Sequence, residues 1–427
     1  MKTNRDSEQP GLRRSLGLFD AVAVSVGAIV GGGIFVVTGI AAKSAGSALF
    51  VSMLIAAGIS AFTVLSFAEL SSWLPMEGSV YEYAYRMISP FGGFLTGWMW
   101  MLSNTFAGAA VSLSFAYYFS ALAPIAPPTI IAAVLCVAFT VLNYYGTRES
   151  AIINNFLVVS KLMILGFFCI FGAFFIKTGN FLPFLPLEPG VFFGAYYIFF
   201  AFGGFARVAV VAEEVKDAKR NVPRAMLLSL VISTVFYIAV GLIAVGLVGA
   251  SVLSSSNSPL KTAIAATDSS GAAYLVSLGG LLATASVLLT SILGVSRMAY
   301  AMAKRDALPP ALSRLDKKYN TPSLSIWITG AVMAVLALTI NLSNVVVIST
   351  FAMLFYYATA NISAWRLKNE HRNYPKLVPV IGAFSCIGLL VFVLFVSLQA
   401  WIIGTLGLLA GAIFYVANRR LSKVSKA

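Results

Sequence analysis

Apolar runs of roughly 20 residues, the length a helix rising 1.5 Å per residue needs to cross a bilayer core, recur along nearly the whole chain. Short polar connections separate them. The runs predict membrane-crossing helices at 18–43, 47–74, 92–120, 127–146, 155–177, 190–212, 225–249, 273–303, 323–341, 344–366, 376–396 and 398–418, twelve spans in all. No connection is long enough to be a folded soluble domain, so 1–427 reads as one all-α integral membrane unit. The first run follows Arg13 and Arg14 as a signal peptide would, but it continues past the usual apolar length and is a retained span. Between spans 2 and 3, the segment PMEGSVYEYAYRMIS, Pro75 to Ser89, is amphipathic and tyrosine-rich, which predicts a helix lying at the membrane interface.

Two spans are interrupted by glycine, span 1 at Gly31, Gly32 and Gly33 and span 6 at Gly203 and Gly204. The interruptions correspond in position if spans 1–5 (18–177) and spans 6–10 (190–366) are two structural halves. Five is an odd number, so the second half would enter the membrane from the opposite face. The expected architecture is an inverted repeat of five plus five helices, with spans 11 and 12 (376–418) appended.

Composition agrees with lipid as the main solvent: 59% of the 427 residues are hydrophobic and 10% charged. The net charge of +14 raises the alternative of a polyanionic partner. On the twelve-span topology, however, most of the 29 Lys and Arg residues fall on the side of the N-terminus. Only Lys43, Lys177 and Lys261 fall on the other side, and Lys161, Arg207 and Arg297 lie within spans. The positive-inside rule then puts the N-terminal stretch 1–17 and the tail 419–427 in the cytoplasm, and the membrane expected for the spans is the cytoplasmic one. Basicity reports topology, and no nucleic-acid partner is implied. Cys136, Cys169 and Cys386 are far apart within spans, as packing residues would be, and His371, the one histidine, sits in a basic loop. No nucleophile, base and metal set can be assembled, which speaks against an enzyme and calls for neither metal nor cofactor.

The glycine run in GAIVGGGIF, Gly27 to Phe35, lowers helix propensity by roughly 1 kcal/mol per glycine relative to alanine. That favours a local unwinding, which frees backbone N–H groups beside a ligand or a watery cavity. Gly27 and Gly31 equally fit a close helix-packing motif. In the second break, FFAFGGFARV, unpaired carbonyls can receive an ammonium group, and Phe200 or Phe202 can close over a substrate or simply pack. Lys161 lies seven residues beyond Asn154, about 10 Å into the membrane. It either snorkels back to the interface or faces the cavity beside the first break, where a desolvated amine can gain and lose a proton during a cycle. Arg207, six residues before Glu213, is expected to snorkel or to pair with a carboxylate at the cytoplasmic end; in the pocket it would repel cationic substrates. Glu69 is the carboxylate well inside span 2, able to partner either basic residue or a structural ion pair, and Asp20 is expected as a helix N-terminal charge.

Four segments together resemble the amino acid-polyamine-organocation superfamily over spans 1–10. They are GLFDAVAVSVGAIVGGGIF at Gly17 to Phe35, SFAELSSWLPMEGSVYEY at Ser66 to Tyr83, FFAFGGFARVAVVAEEVKDAKRNVPRA at Phe199 to Ala225, and SRMAYAMAKRDALPPAL at Ser296 to Leu312. The resemblance implies a leucine-transporter-like fold working by alternating access around a site at the two breaks. It implies a substrate carboxylate on the N–H groups of Gly32, Gly33 and Ile34, beside Gly31. The α-amino group would meet carbonyls near Ile29, Phe200 and Gly203, with Phe200 as an aromatic gate. Asn104 falls near a polar contact of some members, and Lys161 matches a lysine that stands in for sodium in proton-coupled ones. One departure is plain: many members have an acidic residue after the sixth-span GF, where this chain has Ala206 and Arg207. If the two positions approach the pocket, that argues against cationic substrates and toward neutral or anionic ones. The expected function is proton-coupled amino acid symport, with amino acid exchange as the nearest rival. A non-transporting sensor of amino acids is a more distant one.

Overall fold

The computed structural model describes residues 14–76, 78–123, 125–340 and 342–424. Lys2, Arg5, Arg13 and Lys426, from the two stretches expected to be cytoplasmic, lie outside the described residues. Helix α1 (Leu18–Ile29) begins where Asp20 accepts the Gly17 N–H at 2.8 Å and the Asn155 amide at 2.6 Å, an acidic group at a helix N-terminus as expected. After the break come a π-helical turn (Gly33–Val37), α2 (Thr38–Ala45) and α3 (Leu49–Trp73). The short α4 (Val80–Met87) leads to α5 (Pro90–Leu122), which starts on two signals: Ser89 Oγ accepts the Gly92 N–H at 3.0 Å, and Pro90 takes the first helical position. Helices α6 (Pro128–Tyr145), α7 (Thr147–Ala173), α8 (Pro189–Phe202), α9 (Arg207–Val210) and α10 (Ala218–Ser254) follow. The chain ends with α11 (Pro259–Ala265), α12 (Ser270–Lys304), α13 (Ser323–Thr339), α14 (Leu342–Trp365), α15 (Leu377–Val396) and α16 (Leu398–Val424).

Among the described residues, nine helical stretches are long and apolar enough to cross a membrane, the 56-residue run Leu18–Trp73 counting as one, and Ser323–Thr339 is a shorter apolar helix. Burial grades from the middle outward. The most apolar stretch of α12 is 89% buried, packed on α5, α7 and α1, whereas that of α16 is 17% buried. Phe384, Phe395 and Ile413 on α15 and α16 point outward. In water, leaving such side chains exposed forgoes about 1.5–3 kcal/mol each, while against lipid tails there is nothing to forgo.

Two helices start earlier than the hydropathy suggests, α7 at Thr147 and α10 at Ala218. Their first turns are polar, and a hydropathy pattern sees only the apolar part of a helix. The amphipathic segment does form α4, but Tyr81, Glu82 and Tyr83 are buried, not laid on lipid. Glu82 explains this. Its carboxylate accepts from Arg305 Nε and from Arg305 Nη2 at 2.8 Å, which holds α4 against the loop that follows α12.

The start of the described chain is tied down. Ser15 and Leu16 donate their N–H groups to the Glu214 carbonyl at 3.0 Å, and Lys216 N–H reaches the Leu16 carbonyl at 2.8 Å, an isolated bridge between the chain start and the loop after α9. The side chain of Glu214 pairs in turn with Arg297 of α12.

Candidate functional site

Helix α1 stops because Val30 turns extended (φ −77°, ψ 91°) ahead of the three glycines. Its last carbonyls lose their helical partners. Lys161 of α7 supplies donors: its ammonium reaches the Gly27 carbonyl at 3.1 Å, the Val30 carbonyl, and Ser286 Oγ at 2.6 Å. Ser286 also donates to the Gly27 carbonyl, at 3.1 Å. The lysine is fully buried, so it does not snorkel. The negative end of the α1 dipole faces its charge.

The second break follows Phe202. Gly203 is extended and Gly204 has φ +122°, a backbone that side chains rarely adopt. A Cβ on Gly204 would sit 2.6 Å from the Ala28 carbonyl oxygen, so only glycine lets this turn pass over α1. The contact is reciprocal, since Gly33 lies against Ala201 of α8 with no room for a methyl group. Tyr237 of α10 fixes the crossing. Its hydroxyl is 2.8 Å from both the Ile29 and the Ala201 carbonyl oxygens, and its single proton can serve one of them at a time.

Both breaks open onto one cleft. Ile29, Gly32 and Gly33 line it from the first break and Phe200, Gly203 and Arg207 from the second. Ser103 and Asn104 of α5 and Ser349, Met353 and Tyr356 of α14 close the remaining sides. Backbone donors and acceptors, an aromatic wall and few polar side chains are what a small zwitterion needs.

Arg207 is 4% exposed and belongs to this cleft, contrary to the expectation of snorkelling or pairing with Glu213. Its Nε donates to Asn104 Oδ1 at 2.9 Å, and its Nη1 donates to the Val287 carbonyl at 3.2 Å and to Thr290 Oγ1 at 3.0 Å. Asn104 donates its own amide to the Trp100 carbonyl at 2.9 Å, which turns its oxygen toward the guanidinium. Among the described residues no carboxylate lies within ion-pair distance of Arg207 or Lys161.

Several expected residues fall elsewhere. Glu69 partners neither cation: its Oε1 accepts the N–H groups of Asn373 at 2.7 Å and Tyr374 at 3.2 Å and so holds the loop after α14. Phe202 faces away from the cleft and packs on Tyr237, ring centroids 4.9 Å apart. Gly31 abuts Val287, and Ile34 is buried with its carbonyl accepting from Thr38. Gly27 packs closely on Asn154 and Val158, so the packing reading of the glycines holds alongside the break. Tyr237, Ser286, Thr290 and Tyr356 were not anticipated. Lone hydroxyls in apolar helices carry no spacing signal, and only the position of a partner singles them out.

Residues 16–416 match the amino acid permease family. The chain is 28% identical to a branched-chain amino acid permease of Bacillus subtilis, over 98% of this chain and 96% of that protein. It is 30% identical to a methylthioribose transporter of the same organism, with the same coverage. It is also 32% identical to a chloroplastic cationic amino acid transporter of Arabidopsis thaliana, over 73% of this chain and 59% of that one.

Proposed function

Because this chain belongs to the amino acid permease family, which comprises multi-pass membrane transporters and not enzymes, we propose that it is a secondary transporter. It carries neutral or anionic amino acids by proton symport. The observation that carries this reading is that both helix breaks face a single buried cleft. The carboxylate of the substrate meets N–H groups at Gly32 and Gly33, its ammonium meets carbonyls at the second break near Phe200 and Gly203, the Phe200 carbonyl also accepting the Gly203 N–H at 3.0 Å, and Phe200 covers it. The relatives are named for branched-chain amino acids, methylthioribose and cationic amino acids, so kinship leaves the cargo open. The uncompensated Arg207 disfavours cations.

Proton coupling is supported by Lys161, an ammonium buried among neutral acceptors at the end of α1. Losing its proton would remove the charge that faces the carbonyl end of α1 and leave two donors for three acceptors, which gives the proton a structural consequence at the first break. Twelve spans are counted if Leu18–Trp73 is divided at the Gly46 turn and α5 and α13 are added. The matching breaks support two inverted halves, and the basic connections support cytoplasmic termini in the cytoplasmic membrane.

The test is uptake of labelled amino acids by proteoliposomes with an imposed pH gradient, a sodium gradient, or internal amino acid alone. Acceleration by the pH gradient, with none from sodium, is expected. Uptake that needs internal amino acid and ignores the pH gradient would make the protein an exchanger. Binding with no flux would make it a sensor.

A further inference from the structure

We propose, building on the amino acid transport argued above, that the cargo is an acidic amino acid whose side-chain carboxylate is received by Arg207. The two breaks already answer the main-chain groups of any amino acid. Their backbone donors and acceptors are neutral, as suits the zwitterionic part, and they discriminate little between side chains. Of the side chains that line the cleft among the described residues, Arg207 is the charged one.

A guanidinium has five N–H donors. Three are engaged, with Asn104 Oδ1, the Val287 carbonyl and Thr290 Oγ1, all neutral oxygens. Nη2 makes none of these bonds, and it is not among the atoms sealed away from space without a partner. Hydrogen bonds orient the group without cancelling its charge, and a buried charge with no counter-ion is costly. Lys161 stands differently. It is absent from the cleft lining, and its charge meets the carbonyl end of α1, so it does not compete for an anion in the cleft.

The arginine is also held in place before any ligand arrives. Asn104 is oriented by the Trp100 carbonyl, and Val287 and Thr290 stand on α12, whose most apolar stretch is 89% buried. A planar fork held in this way suits a carboxylate, which brings two acceptor oxygens and the missing negative charge. A leucine side chain leaves the charge unanswered, glutamine answers it with a dipole, and an arginine or lysine side chain opposes it. Glutamate or aspartate is the class that cancels it.

Wild-type protein in proteoliposomes would be offered labelled glutamate, aspartate, glutamine, leucine and arginine under one pH gradient, with thermal stabilisation in detergent as the parallel binding measurement. The expected result is half-saturation for glutamate or aspartate at least about tenfold below that for glutamine, a difference of about 1.4 kcal/mol. Arg207→Gln should erase that preference, and Arg207→Lys should keep part of it. If the variants fail to fold, the wild-type ratio of glutamate to glutamine decides alone. Glutamine or leucine taken up as well as glutamate overturns the assignment and leaves amino acid transport standing. Absence of both uptake and stabilisation with all five amino acids would instead defeat the transport reading, and this one with it.

Discussion

Arg297 Nε meets Glu214 Oε1 at 3.0 Å with both side chains sealed from solvent. The pair joins α12 to the loop after α9, and the Glu214 carbonyl at the same time holds Ser15 and Leu16. Three parts of the chain therefore converge on one residue. Removing one partner of a buried pair strands the other charge and costs about 3–5 kcal/mol, whereas replacing both by apolar groups is often nearly neutral. Arg297→Met should lower the unfolding temperature in detergent well below that of the double variant Arg297→Met, Glu214→Leu. Equal losses in the single and double variants would mean that the pair contributes little.

Lys161→Ala removes the donor that serves the Gly27 and Val30 carbonyls. Uptake stimulated by a pH gradient should fall at least tenfold, while exchange of labelled for unlabelled substrate at equal pH continues. The measurement is initial rate against imposed pH difference. An unchanged slope would take this lysine out of the coupling step.

Gly204→Ala combines a positive φ with a Cβ 2.6 Å from the Ala28 oxygen. Backbone strain alone costs about 1 kcal/mol or more, and the clash adds to it by pushing the two broken helices apart. Uptake should be lost with the protein still extractable and folded. Gly58→Ala, at a position with open space around it, is the matched control and should be silent.

In the loop before α13, the carboxylate of Asp316 accepts the N–H groups of Lys318 at 2.8 Å and Tyr319 at 3.0 Å, which holds its acid below the usual carboxylate range. A depressed folded value means that the unfolded chain binds the proton more readily, so the stabilisation is complete above the ordinary value of about 3.9 and is lost as pH falls through the lower folded one. The unfolding-temperature gap between wild type and Asp316→Ala should be small and flat from pH 5 to 8 and should close in stronger acid. A gap that widened on acidification would reverse the sign.

What the residues announce in advance depends on how much of the signal is local. Three adjacent glycines mark a break wherever they fall in a helix, and a lysine inside an apolar run is conspicuous, so the first break and Lys161 were legible. Which way a side chain points was harder to read. Phe200 and Phe202 are two residues apart, about 200° around a helix, so only one can face the cleft, and the composition favours neither. Glu69 looked like a partner for a cation because its real partners, the backbone N–H groups of Asn373 and Tyr374, lie some 300 residues away along the chain. Tyr237 is hidden because its acceptors, the Ile29 and Ala201 carbonyls, lie 208 and 36 residues away and meet only where α1 and α8 cross. Arg207 was misjudged because six residues on a helix bring Glu213 within plausible reach, while its actual acceptors come from α5 and α12.

Those α12 acceptors form a short relay. Arg207 donates to Thr290, Thr290 donates at 3.0 Å to the Ser286 carbonyl, and the Ser286 hydroxyl receives Lys161. Little more than one helical turn separates the acceptors of the two cations, on a helix whose most apolar stretch is 89% buried. A displacement of either side chain is therefore passed to the other's acceptor along one turn of α12.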